Sequence, residues 1–297
     1  MTGRVAGEGA IMGLSYRLSR LPSFRAAMAR LMALFRRLLL LRARDETKAF
    51  ERTPALILAP HPDDETLGCG ATILRKTAAG VGVRVVIVTD GRNSHRSRLL
   101  DADTLARLRR DEALAACAVL GVPADSVHFL DYPDGSLATA GERLIADLRR
   151  LIGEGPGAED VLMPSAHDGH PDHRALNAAV RRAVLSAGRS SPRLYEYPVW
   201  FWDVRSWVDR DARPWRQVGQ LLVRPLMLLA RSRPLTVSAE GLLERKREAI
   251  LAYRSQTRNL TGEPGWAVLD EAFLRHFLQT NEIFFPVCLP PNPEGPK

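Results

Sequence analysis

The sequence predicts an α/β fold with a largely parallel sheet and helices on both faces. Short apolar runs alternate with helical patterns from Pro54 onward, the mark of repeated strand–helix units. The Val83–Thr89 run is rich in β-branched residues, as buried strands are. Charged and histidine-rich stretches fall just past several of these runs, where open α/β sheets bind their ligands.

The elements follow in order. Leu56–Ala59 reads as a first strand, and a helix near 68–79 breaks at Gly80-Val81-Gly82. Val83–Thr89 is a second strand, ending at Asp90-Gly91 before a basic loop, Arg92–Arg98. A long helix, Asp103–Leu120, stops at Gly121 and Pro123. Val127–Leu130 is a third strand running into Asp131-Tyr132-Pro133-Asp134-Gly135, and a helix near 142–152 ends in a Gly-rich turn at 153–157. Val161–Pro164, a helix from His173 to about 187 and the strand Arg193–Tyr197 complete a Rossmann-like pattern. One α/β domain over 53–288 accounts for the core, with an N-terminal extension over 1–52 and a Trp-rich insertion over 199–238. A Pro-rich tail over 289–297 is expected to be disordered.

Two clusters carry the chemistry. Ala59-Pro60-His61-Pro62-Asp63-Asp64-Glu65 packs one imidazole and three carboxylates into five positions. Like charges brought together cost free energy unless a proton or cation offsets them. His61 and Asp64 are a natural ligand pair across a tight turn, which leaves Asp63 beside the metal as a base. Helix capping by Asp63 or Asp64 is the bland account of the same residues. The second cluster, His167-Asp168-Gly169-His170-Pro171-Asp172-His173, holds three of the seven histidines. With His170 or His173 the set becomes two histidines and one carboxylate, with room for water.

The paired motif resembles the PIG-L / LmbE-like family of metal-dependent N-acetylglucosaminyl deacetylases, from about Pro54 to Tyr197 and again near Tyr253-Arg254-Ser255-Gln256. The resemblance implies that His61, Asp64 and His173 hold zinc, or another divalent ion such as Fe2+. It implies Asp63 as general base and a protonated His170 as oxyanion donor and acid for the departing amine, with Asp172 orienting the His170 ring. Arg109, in an Arg-x-x-Glu with Glu112, would contact substrate; an Arg–Glu pair three apart on a helix is more often structural. Asp134 would bind a sugar hydroxyl, against a plain role in an Asp-Gly turn. His167 reads as a solvated residue. The implied reaction removes acetate from an N-acetylated amino sugar and leaves a free amine. The same donor set also suits a non-haem iron enzyme, and a membrane-associated metal-binding protein without activity is a further alternative.

Charge and cysteine content bound the rest. Residues 16–44 hold eight arginines and no acid, which equals the formal net charge of +8 of the whole chain. A nucleic-acid binder carries its excess on the folded body, so nucleic acid is not the expected partner. Residues 24–44 form an amphipathic pattern, with Phe24, Met28, Leu31, Phe35, Leu38 and Leu39 on one side. It suits an anionic membrane surface or packing against the core or a second subunit. No apolar run is long enough to span a bilayer. Cys69, Cys117 and Cys288 give no disulfide framework, so a cytoplasmic protein is expected, at the inner face of a membrane if the helix binds there. Trp200, Trp202, Trp207 and Trp215 mark the insertion as a sugar-facing lid or a second membrane contact, or simply a small core of its own.

Overall fold

The computed structural model describes residues 22–154, 160–186, 192–203, 207 and 213–289. Arg17, Arg20, parts of the Gly-rich turn and of the insertion, and the tail from Pro290 lie outside these residues. The strands are β1 (Arg44–Asp45), β2 (Ala55–Ala59), β3 (Val83–Thr89), β4 (Val127–Tyr132), β5 (Asp160–Pro164), β6 (Arg193–Tyr197), β7 (Leu235–Ser238) and β8 (Asn281–Val287). The longer helices are α1 (Pro22–Arg42), α3 (Asp64–Ala78), α4 (Ala102–Val119), α5 (Gly141–Gly153), α6 (Pro171–Leu185), α7 (Pro214–Arg231) and α8 (Leu243–Ala252). Single turns are α2 (Thr47–Phe50), α9 (Arg254–Thr257) and α10 (Glu271–Leu274).

Among the described residues the strands form one eight-stranded sheet in the order β1-β7-β8-β6-β5-β2-β3-β4. β2 pairs in parallel with β3 on one side and β5 on the other. β4 and β6 extend the parallel part outward. The chain therefore winds one way from β2 and then returns to its other flank. That leaves a crevice at the carboxyl ends of β2 and β5, where doubly wound sheets place their ligands. Both histidine clusters begin at those two strand ends.

Alternation along β2 separates the two faces. Ala55, Ile57 and Ala59 pack with residues of α1, α3, α4 and α8, while Leu56 and Leu58 pack with α5 and α6. Each expected strand and helix between Pro54 and Tyr197 is present, with shifted ends. The largest shift is in α3, which starts at Asp64, so Asp64 and Glu65 lie in its first turn near the positive end of the helix.

Beyond Tyr197 the sequence said less. β7 and β8 form an antiparallel ribbon that joins the sheet through β6. The apolar run Leu221–Ala230 is part of α7, with Pro225 inside it. The helix expected over Glu240–Ser255 is broken at Tyr253 into α8 and α9. In α1, Met32, Phe35 and Leu39 are buried in the core, and the Phe35 ring meets Trp207 edge-on at 4.9 Å. Phe35 and Leu39 of the expected stripe are thus covered by protein, as the packing alternative has it, while Leu38 of the same stripe is exposed. A second row, Leu34, Leu38 and Leu41, faces outward.

A buried ion pair ties β8 and α8 to the middle of α3. Glu282 accepts from the backbone of Ala71 at 2.7 Å and Thr72 at 2.8 Å, and from the Thr72 hydroxyl at 2.6 Å. Lys246 donates to Glu282 at 2.7 Å and to the Leu67 carbonyl at 2.8 Å. Gly68 lets the Tyr197 ring approach the same helix: a Cβ there would sit 2.2 Å from the ring. Removing one partner of a buried pair strands the other charge. Lys246→Met is therefore expected to cost about 3–5 kcal/mol of stability. Denaturant unfolding checks this; a loss below about 1 kcal/mol would show that the pair does not brace α3.

Candidate active site

The first motif turns sharply between β2 and α3. Asp63 occupies the N-cap position with φ 125° and makes no side-chain cap bond. Few non-glycine residues adopt such a backbone, and it persists only when neighbours over-determine it. The Asp63 N–H donates to Glu65 Oε2 at 3.2 Å, and its carbonyl accepts from Leu67 N at 2.9 Å. Arg109 donates to the adjacent Pro62 carbonyl. Helix capping thus fails as an account of the motif: the Asp63 carboxylate is left for the cleft, and Asp64 Oδ2 turns back to accept from His61 N at 2.9 Å.

Asp64 is the hinge of the site. Its Oδ2 lies 3.2 Å from His61 Nδ1 and 3.2 Å from His173 Nε2. The far nitrogen of each imidazole also meets carboxylate. His61 Nε2 is 3.2 Å from both Asp134 and Asp172, and His173 Nδ1 is 2.7 Å from Asp168. A carboxylate on the distal nitrogen is the usual support of a metal-binding histidine. His173 Nε2 is buried and has no hydrogen-bond partner. Tetrahedral zinc bonds of about 2.0–2.2 Å set neighbouring ligand atoms about 3.3 Å apart, close to the two spacings around Asp64. His61, His170 and His173 also bring one donor atom each within 4.8 Å, as do His61, Asp134 and Asp172. The donor chemistry fits a divalent cation.

Burial sets the electrostatics. It pushes the Asp63 carboxyl up to about 8, against the pull of Arg109 at 3.4 Å. Burial works against a proton on His173, but Asp64 and Asp168 raise it to about 9. Burial likewise opposes a charged His61, yet Asp134, Asp172 and Asp64 together hold it well above its ordinary value. Burial would raise Asp64, but the two imidazoles hold it far below the usual carboxylate range. His170 is different. Burial and the neighbouring imidazoles lower it to about 4.

Two expected roles change in detail. Asp172 was expected to orient the His170 ring with its carboxylate. That carboxylate is instead held by the backbone N–H groups of Gly135 at 2.8 Å and Leu137 at 3.0 Å, facing His61. It is the Asp172 backbone N–H that donates to His170 Nδ1, at 3.2 Å. An N–H can only donate, so Nδ1 accepts and the neutral ring carries its proton on Nε2. With Nδ1 accepting, His170 has its Nε2 left to donate. Arg109 is almost fully buried, with Nε and Nη1 unpartnered and Gly91 close to Nε. Its visible contacts are with the Pro62–Asp63 turn. Glu112 binds Ser255, through N at 2.8 Å and Oγ at 2.6 Å.

The site opens into a cleft of about 940 Å³ that reaches His61, Asp63, Asp64, Asp134 and His170. His167 is not among its lining residues. Asp168 is the residue that reading the sequence missed. It accepts from Phe201 N at 2.7 Å as well as facing His173. An acid five positions before a candidate ligand was the only signal.

Residues 56–184 match the model of the family described as PIG-L, GlcNAc-PI de-N-acetylase, so the resemblance carried by the two motifs holds over that stretch. The diacetylchitobiose deacetylase of Thermococcus kodakarensis is 34% identical over 139 residues, covering 45% of this chain and 49% of that protein. A probable N-acetyl-alpha-D-glucosaminyl L-malate deacetylase 2 of Bacillus cereus is 32% identical over 133 residues, 43% of this chain and 60% of that protein. The chain thus spans about half the length of the curated relatives it matches. In fold, the N,N'-diacetylchitobiose deacetylase of Pyrococcus horikoshii superposes with a TM-score of 0.60 at 23% identity, over 90% of this chain and 94% of that one.

If Asp168 fixes the His173 ring, Asp168→Ala should weaken metal binding by about 10–100-fold, as loss of a supporting carboxylate does. Competition with a chelator of known affinity measures it. Unchanged affinity would remove Asp168 from the site.

Proposed function

We propose that this protein is a zinc-dependent hydrolase that removes the acetyl group from an N-acetylated amino sugar. The observation that carries the reading is the division of labour between adjacent acids. Asp64 faces two carboxylate-backed imidazoles, while Asp63 is turned away from them by its strained backbone. His61, Asp64 and His173 would hold the ion. Zinc so held supplies Lewis acidity, acidifying water and polarising a carbonyl.

The remaining steps belong to side chains of the chain itself. Asp63, destabilised as an anion by burial, takes a proton from water as that water attacks the acetyl carbon. His170 lines the cleft with Nδ1 already accepting, so its Nε2–H is the group that would donate to the oxyanion developing on the acetyl oxygen. The C–N bond then breaks. Asp63 returns its proton to the amine nitrogen, and acetate and a free amine leave. Asp134 at the cleft wall offers a carboxylate to a sugar hydroxyl. An acid not needed as a ligand, set beside the ligand cluster, favours this hydrolysis over oxygen chemistry at iron.

Metal content and turnover measured on one set of variants test the roles. His61→Ala, Asp64→Ala and His173→Ala are expected to lose most bound zinc. Asp63→Ala is expected to keep zinc and lose turnover of N-acetylglucosaminides by about 10²–10⁴-fold. Loss of metal in Asp63→Ala would make that residue a ligand and leave the base unassigned.

We further propose that the outer face of α1 rests on an anionic membrane surface, on the cytoplasmic side. No helix among the described residues is long and apolar enough to cross a membrane. Leu34, Leu38 and Leu41 are exposed on α1 beside exposed Arg30, Arg37 and Arg42. α7, packed against α1, exposes Val223, Leu226 and Met227. Each arginine near an anionic leaflet contributes about 1 kcal/mol, within a Debye length. Flotation with anionic vesicles should show binding that weakens with salt and is lost in a Leu34→Asp, Leu38→Asp, Leu41→Asp variant. These side chains are outside the core, so the variant should fold. Absence of binding at low salt would end the membrane reading.

A further inference from the structure

The cleft extends well beyond the acids and imidazoles. Its far walls are Met28, Ala29 and Met32 of α1 together with Trp200, Trp202 and Phe273. None of these lies within 56–184, the stretch that carries the family match. A volume of about 940 Å³ is near the top of the range for small-ligand pockets, so one N-acetylated hexose fills only part of it.

We propose that this far arm is a subsite for an apolar aglycone: a hydrocarbon chain attached to the amino sugar whose acetyl group is removed. The proposal rests on the deacetylase reading for its orientation, with the acetamide at Asp63 and the chain toward α1. The lining decides between a chain and a second sugar. A sugar ring docks on an open aromatic face, and each tryptophan here already has a face stacked. Trp200 stacks on Phe273 with centroids 4.9 Å apart, and Trp202 stacks on His276 at 5.8 Å. The Arg36 guanidinium also lies over the Trp202 ring, 5.1 Å from its centroid. The acids at this end are committed as well: Asp270 caps α10 through Phe273 N at 2.8 Å, and Asp203 has a partner. A polyol would find few free groups to bind. A hydrocarbon chain needs none, and the two methionines adapt to its shape. The arm also has a source for such a chain. Its wall, α1, carries exposed leucines and arginines on its outer side.

The test separates binding from turnover. Octyl and methyl N-acetylglucosaminides, both below the micelle concentration of the octyl compound, are titrated against the full-length zinc-loaded protein by calorimetry. The octyl compound is expected to bind at least tenfold more tightly. Ala29→Trp, which fills the arm from an exposed position, and Met28→Glu, which charges it, should each reduce that ratio to near one. Leu251→Ser, on the outer side of α8, should leave the ratio intact. Equal affinity for the two glycosides would overturn the proposal, whatever their turnover. So would tighter binding of diacetylchitobiose than of the octyl compound, weakened by Ala29→Trp, since the arm would then be a sugar subsite. A tenfold ratio that persists in both arm variants would also overturn it. A ratio that collapses as expected, with no acetate released from any glycoside, would keep the apolar arm and remove the deacetylase reading.

Discussion

The site is organised around one buried carboxylate. Asp64 is almost inaccessible to water, yet it holds its charge because two imidazoles and a backbone N–H converge on it. An isolated buried carboxylate would simply take up a proton. Each imidazole then needs its own partner on the opposite nitrogen, and Asp134, Asp172 and Asp168 supply them. These acids come from two segments, the loop after β4 and the stretch that runs from β5 into the first turn of α6. The parallel sheet is what makes their meeting economical, because the carboxyl ends of β2, β4 and β5 share one edge. The topological reversal beside β2 leaves the gap into which they point.

The same crowding explains the strain at Asp63. Two neighbouring acids must face different ways, one to the imidazoles and one to the cleft. The backbone meets that demand with φ 125°, at a cost of order 1–3 kcal/mol. Contacts from far along the chain hold it there. Tyr253 OH donates to Glu65 Oε1 at 2.5 Å, and Glu65 in turn accepts from the Asp63 N–H. Ser255 binds Glu112 on α4, the helix that also carries Arg109 to the Pro62 carbonyl. The segment after α8 thus braces both sides of the turn. Tyr253 and Ser255, outside the stretch that matches the family, are thus supporting structure for the first motif.

What was legible in the sequence follows from range. β2 is a continuous apolar run, β3 is apolar but for Arg84 and its final Thr89, and β5 is apolar after Asp160, so their pattern is local. The two histidine clusters are dense enough to be read without coordinates. Asp168 was missed because its meaning depends on the His173 ring and on the backbone of Phe201, a contact across 33 residues. The Asp172 carboxylate was assigned to the wrong imidazole for a similar reason. Proximity in sequence pointed to His170, while the N–H groups of Gly135 and Leu137 turn it toward His61. Lysine is seldom an interior residue, yet Lys76 and Lys246 are fully buried. Only their distant partners, the carbonyls of Phe50 and Leu67 among them, make that burial tolerable. β7 has four residues that alternate apolar with hydroxyl side chains, and its partner β8 follows only after α8, α9 and α10, so no local pattern announces their pairing.

The N-terminal helix shows how one element serves two solvents. Arg36 leaves the basic face to donate to the Asn281 carbonyl and to lie over Trp202, which fixes α1 against β8 and the aromatic wall. Burial draws its guanidinium down to about 10, so the contact is a costly one that the aromatic packing around it must offset. Once α1 is fixed, Met28 and Met32 are committed to the cleft and Leu34, Leu38 and Leu41 to the exterior. The acids and imidazoles of the site come almost wholly from the stretch that matches the family, and the far walls of the cleft come from outside it. On the proposed reading, reaction and recognition therefore fall to different parts of the chain. A change in α1 or the Trp-rich segment would reshape the far walls of the cleft without touching Asp63, Asp64 or the two imidazoles, and the family match, confined to 56–184, does not reach those walls.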